Sequence, residues 1–374
     1  MTGGSPLDRI GIDLGTTNTV AAVGGRAYPV HEDDHTLLPS VVAFLPNGRL
    51  QVGELARRRR AIDGSNTLFS SKRIIGRRFD SHEVRNFRDR YPLELEEIED
   101  GWPAFRTRAG LVSPTEVASH VLDALITRAG LEPERAKVTV TIPASFAGPQ
   151  RKATAEAAAN AGLGEVTLLE EPIATAHAYI ACGARSERAF VYDLGGGTFD
   201  CAVVDCKAGS PKLLSHTSDL TLGGDDVDHR LAGWVRHSVI EKYNWDLASY
   251  SEVYDRVLSE CELAKIRLSS EDIADFLLGQ VDPECPVPDE PIVLTRKLLD
   301  VQCRELLQRS FSACDAVLRQ AGMRPADVDT VFMAGGSTCL PIVQQGVESY
   351  FGRRLSMGMD PTEVVAIGAS VARL

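Results

Sequence analysis

The chain reads as an α/β protein of two lobes. Strand-like and helix-like segments alternate along its whole length, which is the pattern of an α/β architecture. A short turn motif occurs twice, once near each lobe's start: Ile10-Gly-Ile-Asp13-Leu-Gly15-Thr16-Thr17, and then Val191-Tyr-Asp193-Leu-Gly195-Gly-Gly197-Thr198. The length of 374 residues exceeds one ordinary domain and suits two. The lobes are placed at 1–184 and 185–374, divided after the polar stretch Gly183 to Arg188, with outer subdomains at about 39–111 and 223–299.

Residues 8–30 read as a strand meander, and 53–63 and 66–75 as helical or turn segments around Lys72. Ser113-Pro-Thr-Glu116 is a capping box with proline at the first helical position, and it predicts a helix over 113–130. Val138 to Pro143 is a buried strand. Gln150 to Ala161 is an alanine-rich helix stopped at Gly162, followed by a strand at 166–170 and a helix at 172–182. In the second half, 251–269 and 297–321 are helices, the proline-rich 279–291 is a loop, and 329–334 is a strand running into Gly335-Gly336. Asp360-Pro361-Thr-Glu363 reads as a second capping box, opening a helix that runs to the terminus.

Hydrophobic content of 44% and charged content of 25% belong to a globular protein with a substantial core. The net charge of −12 argues against nucleic acid as a partner. Arg57 to Arg60 reads as a solvated face and Glu94 to Asp100 as an exposed edge. The eight cysteines form no Cys-x-x-Cys pair; with several, such as Cys201, Cys261 and Cys303, in apolar segments, they read as reduced core or surface thiols of a cytoplasmic protein. The eight histidines show no ligand spacing, and His177 and His229 read as structural. The start, Met1 to Pro6, has no apolar signal, and no run reaches the ~18 apolar residues of a membrane span.

The repeated motif carries the chemistry. Each copy is an apolar strand, Asp-Leu-Gly, small or hydroxyl residues, then a second apolar strand, which makes a hairpin whose turn faces a ligand. Glycine lets backbone N–H groups approach an oxyanion, and threonine adds hydroxyl donors. One such turn is most often a plain hairpin; two on separate lobes point to a nucleoside triphosphate clamped from both sides. No Gly-Lys-Ser/Thr follows and no helix starts at the glycines, which excludes the Walker and Rossmann patterns. Asp13 and Asp193, lone carboxylates at strand ends, suit a Mg²⁺ held through its waters.

These segments together resemble the nucleotide-binding domain of the DnaK-type heat-shock chaperone family over nearly the whole chain. Gly11 to Thr19 and Asp193 to Asp200 resemble its two phosphate motifs, and Asn66 to Phe79 its catalytic-lysine segment. Ile142-Pro143 with Gln150-Arg151 resembles its proline switch, Glu171-Pro172 its Glu-Pro connection, and Leu222 to Asp226 its hinge. Glu262 to Ser269 and Gly335 to Thr338 match its adenosine motifs in part.

The resemblance implies the actin-like ATPase (ribonuclease H-like) fold, two lobes each with a mobile subdomain around a central cleft, and slow hydrolysis of Mg·ATP to ADP and phosphate. It implies that Asp13 and Asp193 position Mg²⁺, and that Gly15, Thr16, Thr17, Asn18, Gly195, Gly196 and Gly197 hold phosphates. Lys72 orients the attacking water, and Glu171, Thr198 and Asp200 complete the catalytic shell. Gly224, Glu262, Lys265, Ile266, Ser269, Gly335, Gly336, Ser337 and Cys339 line the nucleoside end.

Two departures stand at that end. The family places arginines at the positions of Ile266 and Cys339, where they sandwich the adenine. Arg267 lies about 100° further around the helix and is no direct replacement. Two lost stacking contacts, at roughly 1 kcal/mol or more each, predict roughly ten- to a thousandfold weaker binding. Thr167, Glu170 and Ile173 stand where the family's J-domain cochaperone meets Arg, Asn and Thr, so that contact is in doubt, although a nucleotide-exchange factor remains a conceivable partner. Pro143 and Arg151 are kept. The chain stops at Leu374, before any peptide-binding half, so no peptide client is expected through this chain alone. Competing readings are a non-hydrolysing scaffold of the same fold, favoured by Ile266 and Cys339, and an actin- or MreB-like filament protein, disfavoured by the Lys72 segment and the Gly223-Gly224 hinge. A sugar kinase is a distant fourth.

Overall fold

Two sheets of related design form the centres of the two lobes in the computed structural model, which describes residues 9–30, 34–287, 289–355 and 358–373. In the first, Arg9–Leu14 and Asn18–Val23 pair as a hairpin in which Asp13 faces Val20, and Arg9–Leu14 runs parallel to Lys137–Ile142, itself parallel to Thr167–Glu170. In the second, Arg188–Leu194 and Phe199–Asp205 form the matching hairpin, with Asp193 facing Asp200, and Arg188–Leu194 runs parallel to Thr330–Ala334. Lys212–Asp219 closes the other edge. Ile10, Ile12, Val191 and Tyr192 are all buried, as expected of strands covered on both faces.

Each lobe also has an outer subdomain. On the first lobe it comprises helices Glu54–Arg59 and His82–Arg90 with two three-stranded sheets; on the second, helices Gly224–Tyr243 and Ser251–Leu268 pack with the hairpin Ile273–Leu277 and Pro291–Thr295. The acidic stretch lies on the edge strand Leu95–Ile98, as its charge suggests. Helices Gly224–Tyr243 and Pro341–Phe351 were not foreseen; their apolar positions are diluted by charged ones.

The lobes join at two short helices, Glu171–Ala181 and Val364–Val371. Gly368 lies so close to the Ala174 carbonyl that a β-carbon there would overlap it, and Gly11 is packed as tightly against Ala366 and Ser370. Tyr179 crosses to the second sheet, donating to the Met333 carbonyl at 3.0 Å and stacking on Phe332 at 4.4 Å.

The first capping box forms: Ser113 Oγ accepts from the Glu116 N–H at 3.1 Å, and the Glu116 carboxylate accepts from the Ser113 N–H at 2.6 Å. The second does not. Asp360 accepts from the N–H and hydroxyl of Thr362 in a turn, and the helix begins only at Val364. Glu363 instead accepts a hydrogen bond from the Thr36 hydroxyl at 2.6 Å, a tertiary contact that local spacing does not encode. Met1 to Pro6, Pro288 in the 279–291 loop and the terminal Leu374 lie outside the described residues. Among the described residues no helix is long and apolar enough to cross a membrane, and all eight cysteines are free, with Cys201, Cys261 and Cys303 buried.

Candidate functional site

The two hairpin turns meet across the cleft. The second turn is closed by the backbone, Gly195 N–H donating to the Thr198 carbonyl at 3.0 Å, and the first is held from outside by the Ser40 hydroxyl, which donates to the Gly15 carbonyl at 2.8 Å. A β-carbon on Gly196 would strike the Thr17 hydroxyl, so the turns of opposite lobes are in contact. Gly335, at φ +82°, approaches Leu194 and the Asp193 carboxylate closely, a position only glycine fills without strain. Every phosphate-turn and catalytic residue expected from the sequence lines one cavity of about 130 Å³: Asp13, Gly15, Thr16, Thr17, Asn18, Lys72, Glu171, Asp193, Gly195, Gly196, Gly197, Thr198 and Asp200, with Gly335 and Gly336.

Its floor is electrostatically unusual. Lys72, in a single 3₁₀ turn and almost buried, donates to Glu171 at 2.7 Å. Ser70, two residues earlier, holds a left-handed conformation (φ +54°) of the strained kind that collects at functional sites. Three more carboxylates, each half-buried, surround this pair. Burial and then the Glu171 charge push Asp13 up to about 6, against the pull of Lys72 and the Thr141 hydroxyl at 2.8 Å. Burial and Glu171 likewise push Asp200 to about 7, opposed by Ser218, Lys72 and Thr198. Asp193 is held well above the carboxylate range by burial and by all three other acids. Burial alone would lower the Lys72 ammonium, but Glu171 and Asp13 outweigh it and raise it. Four acids thus share one ammonium. Among the described residues no group of three or more His, Cys, Asp and Glu can hold a metal ion directly. A divalent cation carried in its own water shell fits this donor set, because its charge relieves the repulsion without direct ligation.

The nucleoside-end residues are arranged differently. Ser337 donates to the Gly195 carbonyl at 2.9 Å and sits with Lys265 against Gly224. Lys265 is buried and donates to Asp228 at 2.7 Å and to the Gly224 carbonyl at 3.1 Å, leaving one of its three donors. Burial pushes Asp228 up to about 7, although Lys265 draws it down. Glu262 lines a neighbouring cavity of about 70 Å³ that shares Thr16 and Thr17 with the first. Ile266 faces solvent at 52% exposure, Ser269 caps its own helix at the Ile266 carbonyl, and Cys339 is half-buried.

The Arg57–Arg60 run is corrected. Only Arg58 is a solvated residue of the expected kind. Arg57 reaches Glu262 at 3.8 Å, and Arg60 reaches Asp255 at 3.6 Å while lying 3.9 Å over the Phe69 ring. Positions three apart share one face of a helix, and here that face looks across the cleft mouth at helix Ser251–Leu268. Reversing one of these charges with Arg57→Glu is expected to speed nucleotide dissociation severalfold in stopped-flow, with the difference shrinking at high salt, since half-exposed pairs contribute under about 1 kcal/mol each.

Sequence reasoning missed Thr141, Ser218 and Arg73. Arg73 spans the cleft, bonding the Leu220 carbonyl and Asp225. Its adjacency to Lys72 was the available signal; the two hydroxyls had none.

A fold of two duplicated lobes with a phosphate hairpin on each and a shared cleft defines an actin-like nucleotide-binding ATPase domain. A profile described as "Hsp70 protein" matches residues 9–373. The chain is 35% identical to the chaperone protein DnaK of Thermus thermophilus over 97% of its own length and 60% of that protein. It is 37% identical to the chaperone protein HscA of Yersinia enterocolitica over 96% of its length and 57% of that protein. The chain belongs to the Hsp70 family, as its nucleotide-binding domain, and spans about 60% of the length of these curated relatives.

Proposed function

We propose that this chain binds Mg·ATP and hydrolyses it slowly to ADP and phosphate, its lobes closing and opening with the nucleotide as a chaperone-type switch. The observation that carries the reading is the junction of two phosphate turns from opposite lobes over four clustered carboxylates and the ammonium of Lys72. The turns would hold the phosphates through backbone N–H groups and the hydroxyls of Thr16, Thr17 and Thr198. Lys72, fixed by Glu171, would sit by the γ-phosphate and orient the water that attacks phosphorus as the bond to the ADP oxygen breaks. Asp13 and Asp193 would hold the waters of Mg²⁺. When bound, Mg²⁺ supplies charge neutralisation on the triphosphate. Positioning and electrostatics carry most of such phosphoryl transfer.

The lobe boundaries at residues 184 and 185 and the mobility of segments 39–111 and 223–299 belong to the same proposal. The crossing helices would be the pivot and the Arg57 and Arg60 pairs the latch. Chaperone partners belong to it too. The Glu170 carboxylate, at the J-domain position, is engaged by Arg151 at 2.8 Å, which supports an altered cochaperone contact.

The exposed Ile266 and half-buried Cys339 support a weakened adenine clamp. Restoring both arginines with Ile266→Arg and Cys339→Arg is expected to tighten Mg·ATP binding roughly ten- to a thousandfold by calorimetry, and to raise the preference for ATP over GTP. The same two residues favour a second reading, a non-hydrolysing scaffold. Single-turnover assays on the unmodified chain divide the readings: ADP formed under excess enzyme supports the switch, and bound, uncleaved ATP supports the scaffold.

A further inference from the structure

A third cavity, also of about 70 Å³, lies between helix His82–Arg90 of the first lobe and Leu220-Thr221 of the second. Arg73 and Leu220 line both it and the phosphate cavity, so the two spaces share a wall. The Arg73 guanidinium lies directly on Gly197 of the second phosphate turn, where a β-carbon would overlap it. Two guanidinium groups approach the Tyr91 ring, with Arg73 5.8 Å and Arg90 5.7 Å from its centroid.

The donor inventory of this cavity is incomplete. Arg73 spends its terminal nitrogens on the Leu220 carbonyl and on Asp225, and Arg90 spends one on Asp226 at 2.9 Å. Arg73 Nε and Arg90 Nε and Nη2 are buried with no hydrogen-bond partner among the described residues, and the Arg73 side chain is only 7% exposed. Buried N–H groups of a charged fork are costly without acceptors. The acid at the rim, Glu83, is held by Arg77 at 2.9 Å. The Tyr91 hydroxyl donates to Asp225. A group rich in acceptors and lacking hydrogens, matched to planar forks, is an oxyanion.

We propose that Arg73 and Arg90 form an oxyanion site, walled by Tyr91, beside the nucleotide cleft, which receives inorganic phosphate after cleavage and holds it on its way out. The second half of this statement rests on the hydrolysis proposed above; the site itself does not. Phosphate leaving the second turn meets Arg73 first, because Arg73 lines both cavities, and then Arg90, which lines only the outer one.

The test uses the whole chain, labelled with ¹⁵N-arginine and saturated with Mg·ADP, titrated with inorganic phosphate at constant ionic strength against chloride. The Arg73 and Arg90 Nε–H resonances, assigned through lysine variants, are expected to shift saturably with phosphate and not with chloride. Arg90 is the discriminating probe, because it does not line the nucleotide cavity. In Arg90→Lys, which keeps a cation for Asp226, the Arg73 shift is expected to need at least tenfold more phosphate while Mg·ADP dissociation is unchanged. An Arg90 resonance that ignores phosphate, or answers chloride equally, means a water-filled cavity and overturns the site, as does unchanged phosphate affinity in Arg90→Lys. Since the titration needs no turnover, a chain that binds phosphate here but never cleaves ATP refutes the hydrolysis and the product role, and leaves the site standing.

Discussion

Lys72→Ala is expected to reduce single-turnover ATP hydrolysis by at least about a hundredfold, the range seen when one preorganised charge is removed from a transition state. Mg·ATP binding should change far less, because the phosphate turns supply most of the ground-state contacts. The Lys72 ammonium offsets the charge of Glu171, Asp13, Asp193 and Asp200, and removing it leaves those acids to repel one another. Breaking such a buried pair typically costs about 3–5 kcal/mol, so a fall in thermal midpoint without Mg²⁺, partly recovered with it, should accompany the lost turnover. The pH dependence has a definite sign. Asp13 at about 6 and Asp200 at about 7 bind protons more tightly folded than unfolded, so their contribution to stability is present at low pH and is lost as pH rises toward 7. Unaltered turnover in Lys72→Ala, with ATP still bound, sinks the catalytic assignment.

Gly368→Ala is expected to be the most damaging single methyl in the molecule. Its β-carbon would overlap the Ala174 carbonyl oxygen, a backbone atom that cannot rotate away. Overpacking of this kind costs about 1–3 kcal/mol, and a backbone neighbour places it at the upper end. The effect should not stop at stability. Ala174 lies three residues into the helix that begins at Glu171, so any displacement is transmitted to the Lys72–Glu171 pair. Urea denaturation should show the lower midpoint, and the hydrolysis rate of the surviving folded protein should fall with it. The exposed Gly233, on the outer helix Gly224–Tyr243 with open space around it, is the control: alanine there should be neutral or slightly stabilising. Equal effects at Gly368 and Gly233 would mean the crossing is not tight.

The parts of this architecture that follow local rules were legible. Asp13 and Asp193 end strands whose apolar residues are continuous, and Ser113 with Glu116 form a cap from contacts three residues apart. What local spacing could not supply was contact across the cleft. Glu363 is the same residue type at the same offset from its would-be cap as Glu116, yet Thr36, far away in sequence, claims its carboxylate. Arg57 and Arg60 have the composition of a solvated face and become a bridge only because another helix stands opposite. Lys265 is placed by the sequence at the nucleoside end, and nothing in its spacing announces Asp228 beside it. Charged side chains were thus the least legible class, since their partners are chosen by tertiary placement rather than by periodicity.

The Arg151–Glu170 pair has a further meaning for anything that docks on this face. Both side chains are about one-third exposed, so each is reachable from solvent. A carboxylate arriving for Arg151 must outcompete one that is already tethered to the same surface, and a cation arriving for Glu170 meets the same rival. The protein thereby carries an internal competitor for its own docking charges. At the under 1 kcal/mol such exposed pairs are worth, the contest discounts a visitor's affinity by a factor of about five at most. That is enough to filter out weak, single-charge encounters while admitting a partner that brings several contacts at once.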